Sequence, residues 1–276
     1  MRPGLLGFAA ASIALSVLQP AAAAPSKGVS FDYAQGKEDA VATLRAWKGR
    51  AYLHPAVLAE PTRPRPLVVF MHGLNRDKVP FRWMGAASDP DVRDMIAGLI
   101  DGQKIEPAIL VAPTTVTECD TPRTMWPGFD LGRFLALTMR HLDARVVVDR
   151  RNVILVGHSG AACNTAGGLV AAVRSEAALK AVLVIDTCMD EAAGGLLALA
   201  PPDTDVVVSW QPLGWERPFE AFERLFLESS GDRHSRGLRK VQRLNIPEPN
   251  AHGAIVPVAL EHWLPHWIPG PLARRP

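Results

Sequence analysis

Gly157-His158-Ser159-Gly160-Ala161 sets a serine between two glycines, at the end of the apolar run Asn152-Val153-Ile154-Leu155-Val156 and ahead of a small-residue stretch. A strand, a sharp turn and then a helix is the setting in which a serine hydroxyl is held out as a nucleophile. Small neighbours are needed because the serine sits on strained backbone and the adjoining turn passes close to it. A helix expected over 161–173 would also aim its free N–H groups at the site and favour negative charge there. Such a hydroxyl attacks ester or amide carbonyls once a base takes its proton.

The leading base is His252, in Asn250-Ala251-His252-Gly253, read as a loop after the final strand and before a helix over 255–264. A loop at a strand's carboxyl end can reach back to Ser159. His158 faces the wrong way to be the base and is assigned instead to the substrate-contacting set. His54, His141 and His234 have no comparable setting. The carboxylate that orients the base is open between Asp186, which ends an apolar run, and Glu216, in the Trp210–Glu216 loop, with Asp190 as a third option. Asp186 is preferred because it needs no loop rearrangement to point inward, although capping a turn would equally suit an aspartate there. Charge on the attacked carbonyl oxygen needs preorganised donors, and the backbone N–H groups of Gly160 and of Leu74, in His72-Gly73-Leu74-Asn75, are placed to supply them.

These residues need elements to hold them. Leu67-Val68-Val69-Phe70-Met71, Ala108-Ile109-Leu110-Val111-Ala112, the run before Ser159, Ala181-Val182-Leu183-Val184-Ile185 and Asp205-Val206-Val207-Val208-Ser209 are short and mostly apolar, and 241–246 is a weaker sixth. Continuous runs of this kind suit parallel strands covered on both faces. Helix-length segments over 91–99, 131–142, 161–173 and 218–228 lie between them. The alternation predicts an α/β fold with a doubly wound, mostly parallel sheet, which binds ligands at the carboxyl ends of its strands.

Taken together, His72-Gly73-Leu74, the Gly157–Ala161 elbow and His252-Gly253 resemble the α/β-hydrolase superfamily, over about residues 66 to 266. The resemblance implies a sheet of about eight strands, with 29–53 forming the first antiparallel strands, and a serine hydrolase whose acid lies between Ser159 and His252 in sequence. Ala161 stands where glycine is usual, and the loop after the fifth run lacks the aspartate many members carry. Many relatives insert a lid after the strand that here ends at Asp186. The connection over 187–204 has room for one helix, so no large cap domain is expected. Trp126, Trp210 and Trp215 join His158 as candidate substrate contacts, and Cys119, Met125 and Phe129 could wall an acyl pocket. In the family's strand order Cys163 and Cys188 fall on neighbouring strands, so a bridge between them could brace the catalytic loops. Cys119 to Cys163 stays open.

The 276 residues, 48% hydrophobic and 21% charged, fit one globular domain over 24–276. A net charge of +2, without a basic run longer than pairs such as Arg150-Arg151, argues against nucleic acid as partner. Arg2, an uncharged apolar run over 5–18 and Ala21-Ala22-Ala23-Ala24 read as a signal peptide over 1–23, implying a secreted or periplasmic protein without stable membrane insertion after cleavage. No metal or organic cofactor is expected: the three cysteines are widely spaced, and Pro265 is read as breaking the helix that would align His262 with His266. The expected partner is a small-molecule or polymeric acyl substrate.

Overall fold

The computed structural model of the chain describes residues 28–34, 48–74, 91–114, 121–175, 177–213, 219–231, 235–247 and 250–271. The signal segment expected over 1–23 lies outside these residues, as do Cys119, Trp215 and Glu216. In chain order the elements are β1 (Val29–Ala34), β2 (Lys48–Leu53), α1 (Pro55–Leu58), β3 (Arg65–Met71), α2 (Val92–Asp101), β4 (Ile109–Thr114), α3 (Leu131–Leu142) and β5 (Val148–His158). Then come α4 (Gly168–Val173), β6 (Ala181–Ile185), α5 (Glu191–Leu197), β7 (Asp205–Trp210), α6 (Phe219–Gly231), β8 (Arg239–Arg243) and α7 (Ala251–Trp267).

The apolar runs pair side by side because each buries both of its faces. Eight strands form one sheet in the order β1-β2-β4-β3-β5-β6-β7-β8. β2 runs antiparallel to β1 and β4, and every pairing from β4 to β8 is parallel. Alternate residues go to opposite sides. Leu67, Val69 and Met71 of β3 face a core shared with α3 to α6, while Val68 and Phe70 face one shared with α2 and α7. The sheet is doubly wound, as the alternation of runs and helices predicts. Between β6 and β7 lies one helix, α5.

Three expectations are corrected. The helix expected over 161–173 is replaced by a single 3-10 turn, Ser159–Ala162, followed by a separate short helix α4. Asn164 breaks the path: its Nδ2 donates to the Met125 carbonyl at 2.6 Å and its Oδ1 accepts from the Ala166 N–H at 3.0 Å. Gly168 then takes φ +55°, a conformation only glycine adopts cheaply. No long helix dipole therefore points at Ser159.

His252 is not in a loop. It lies in the first turn of α7, behind the cap Asn250, whose Oδ1 accepts from the Gly253 N–H at 3.4 Å. Nor does Pro265 stop this helix, which runs through both Pro257 and Pro265. Burial of Ile255, Val256, Ala259, Leu260 and Leu264 against the sheet outweighs the lost backbone hydrogen bonds. His262 and His266 thus share the exposed side of one helix. Among the described residues no group of three or more metal-ligating side chains forms.

Cys163 and Cys188 are joined in a disulfide, with Cα atoms 5.3 Å apart. It ties the turn that follows Ser159 to the loop that follows β6. Replacing both cysteines by serine releases a loop of 25 residues. The loss is expected to be roughly 3 kcal/mol, visible as a lower Tm. An unchanged Tm would show that the cross-link does not constrain the unfolded chain.

Candidate active site

β5 delivers Ser159 at the carboxyl end of the sheet, and the serine takes φ +57°, a left-handed conformation that a non-glycine residue holds only under constraint. Parallel pairing of β5 with β6 sets His158 opposite Ile185, so Asp186 emerges beside the serine turn. Asp186 also has a positive φ, +48°, and its N–H donates to the Ser209 carbonyl of β7 at 2.8 Å. α7 brings His252 across from the other face of the sheet.

These three side chains form one hydrogen-bonded line. The Ser159 hydroxyl and His252 Nε2 are 2.9 Å apart, and His252 Nδ1 lies 2.5 Å from Asp186 Oδ2. A carboxylate only accepts, so Nδ1 carries the proton and Nε2 is left to accept from the serine. Asp186 is fully buried, whereas His252 is about a third exposed. A buried carboxylate at Nδ1 fixes the orientation and the tautomer of the ring.

The donor pair expected for the carbonyl oxygen is brought close. A Cβ on Gly160 would lie 3.4 Å from the Leu74 nitrogen, and one on Gly73 would lie 2.7 Å from Ser159 Cβ. The two strand-end loops touch through their glycines. His72, fully buried, donates from Nδ1 to the Gly73 carbonyl at 2.7 Å. Because that carbonyl belongs to the same peptide unit as the Leu74 N–H, fixing one fixes the other. Gly73→Ala is expected to displace the nucleophile and cut kcat/KM roughly a hundredfold. A change under threefold would mean the loops have room to part.

The candidate substrate contacts need correction. Trp126 is fully buried, donates its indole N–H to the His72 carbonyl at 3.2 Å and packs 4.8 Å from the His72 ring. It braces the Gly73–Leu74 strap from behind. Trp210 is 5% exposed and stacks on Phe219 at 4.4 Å, so it fills the core. His158 is 1% exposed; its Nε2 donates to the His252 carbonyl at 2.9 Å, and its ring lies 4.6 Å from that of His252. A ring so enclosed does not face substrate. Asp190 pairs with Arg123 through two hydrogen bonds of 2.7 and 2.9 Å and not with His252. Met125 does lie beside the nucleophile turn, where its sulfur would meet a Cβ on Gly160 at 2.5 Å.

Two buried side chains make contacts with His252 and Asp186 that the sequence did not foretell. One is His158, just described. The other is Gln211, which opens the loop after β7 where the family resemblance implies an aspartate. The backbone N–H of Gln211 donates to Asp186 Oδ1 at 3.3 Å and its Nε2 to Oδ2 at 2.9 Å. The missing aspartate was the only signal.

No protein-family model matches the chain, and no curated protein matches it in sequence. Solved structures match in shape. A ferulic acid esterase aligns with a TM-score of 0.58 at 13% identity, covering 88% of this chain and 98% of its own. A mutant of the feruloyl esterase module from Clostridium thermocellum complexed with sinapinate gives 0.59 at 12%, over 90% of each chain. An IroE-like serine hydrolase from Shewanella oneidensis gives 0.54 at 14%, over 87% of this chain and 79% of its own. The fold is the α/β-hydrolase fold. Within the α/β-hydrolase fold found here, the candidate nucleophile follows β5, the carboxylate follows β6 and the histidine follows β8.

Proposed function

We propose that this chain is an exported serine hydrolase that cleaves a carboxylic ester through an acyl-enzyme on Ser159. The observation that carries the reading is the unbroken line from the Ser159 hydroxyl through His252 to buried Asp186. His252 Nε2 takes the serine proton as Oγ attacks the ester carbonyl, and Asp186 holds the imidazole in the required tautomer and balances its charge. The N–H groups of Leu74 and Gly160 receive the developing oxyanion. Collapse expels the alcohol with a proton from His252, and water, deprotonated by the same nitrogen, releases the acid and restores the serine.

Ester rather than amide substrates are favoured by the company the fold keeps, since the similar structures bear esterase names. The connection between β6 and β7 holds one short helix and no cap domain, which suits a bulky or polymeric acyl substrate. Export is supported by the charged and apolar pattern over 1–23 and by the Cys163–Cys188 disulfide, a bond that persists in oxidising compartments. A fluorophosphonate probe should label Ser159, and turnover should be seen on p-nitrophenyl esters or methyl ferulate before aminoacyl anilides. Absence of labelling on folded protein removes the enzyme reading and leaves a binding protein; faster anilide cleavage makes it an amidase.

A further inference from the structure

Asp186 is buried and charged in the mechanism above, so something besides His252 must hold its carboxylate. The parallel register of β6 and β7, with Ile185 opposite Ser209, brings Asp186 and Gln211 out of the sheet side by side. Gln211 is itself fully buried. Its Nε2 donates to Asp186 Oδ2 at 2.9 Å and to the Leu213 carbonyl at 2.7 Å, while its Oε1 accepts from the Leu213 N–H at 2.5 Å. The Leu213 contacts decide which way the amide faces: a flip would set donor against donor and acceptor against acceptor. The amide is therefore locked with its N–H aimed at the same oxygen that accepts the hydrogen bond from His252 Nδ1.

We propose that Gln211 is a positioning residue of this site, which keeps Asp186 ionised and aims Oδ2 at His252 Nδ1. The inference rests on the Ser159–His252–Asp186 reading. A neutral donor suits the task because it stabilises the carboxylate charge without cancelling it, leaving the full charge to act on the imidazole. The geometry also restricts the side chain. Asparagine is one methylene too short to span Asp186 and Leu213 together. Glutamate has the length, but loses the donors and sets a second carboxylate against the first.

Gln211→Met keeps the volume and removes the hydrogen bonds. On a p-nitrophenyl ester its kcat should fall roughly ten- to a hundredfold with KM little changed, as expected for one lost hydrogen bond to a charged group. Gln211→Glu should move the acidic limb of the kcat/KM profile to higher pH, because added negative charge beside the imidazole favours its protonated form. The proton NMR resonance of the His252 Nδ1–H, which reads the bond to Asp186 without any turnover, should move upfield in Gln211→Met. Fluorophosphonate titration counts competent sites, so misfolded protein is not mistaken for slow protein. Wild-type kcat in Gln211→Met together with an unmoved imidazole resonance overturns the proposal. A loss matched by fewer titratable sites also overturns it, since the role is then structural. Wild-type protein that neither labels nor turns over removes the hydrolase reading, while the resonance still tests the geometry.

Discussion

Ser159→Ala lowers kcat by about a millionfold and leaves the protein folded, if the hydroxyl forms the covalent intermediate. The size follows from what is removed. Without Oγ there is no acyl-enzyme, and His252 and the two N–H donors can only assist water, which in a comparable site keeps some 10³- to 10⁴-fold over the uncatalysed rate. Folding should be spared because the change removes one hydroxyl from a half-buried side chain and keeps the Cβ that packs against Gly73. The measurement is burst and steady-state hydrolysis of a p-nitrophenyl ester, with circular dichroism to verify the fold. A variant that keeps even a tenth of wild-type turnover would mean another group is the nucleophile.

Asp186→Asn is the second large loss, of about 10⁴-fold in kcat. The amide can present its NH₂ to His252 Nδ1, which then becomes the acceptor and puts the proton on Nε2, where it blocks the serine. The opposite amide orientation is no refuge: its NH₂ then meets the Gln211 backbone N–H that now donates to Oδ1. Either way donors collide in a buried place, so a stability loss of roughly 1–3 kcal/mol should accompany the kinetic one. Glu216→Gln serves as the comparison and should leave kcat within a few-fold. The reverse result, with Glu216→Gln inactive and Asp186→Asn active, would move the acid to the loop after β7.

The sheet could be read from the sequence because its strands advertise themselves: Val68-Val69-Phe70 or Val182-Leu183-Val184 are apolar on both faces, which suits a parallel strand covered by helices. Ser159 was legible for a local reason, the glycines that let a strained turn pass close to its neighbours. His252 was found by its place after the last strand, though its helix begins earlier than expected and runs past two prolines, since burial along α7 overrides propensity. The choice among Asp186, Asp190 and Glu216 needs distances across strands, which sequence order does not contain. The tryptophans misled for a related reason. An aromatic at a strand end serves a pocket or a core equally well, and for Trp126 and Trp210 only the packing decides. His158 and Gln211 are the hardest kind to foresee, because their partners, the His252 carbonyl and the Asp186 carboxylate, are fixed by which strands neighbour one another.

The histidine rides on α7, downstream of all eight strands, and meets the serine turn only when that helix seats against the sheet. A fragment severed before residue 250 therefore lacks the imidazole that the proposed chemistry needs. On the proposed reading, hydrolysis would report finished assembly. The protein could be divided ahead of α7 into two inert pieces whose reunion is announced by colour from a chromogenic ester.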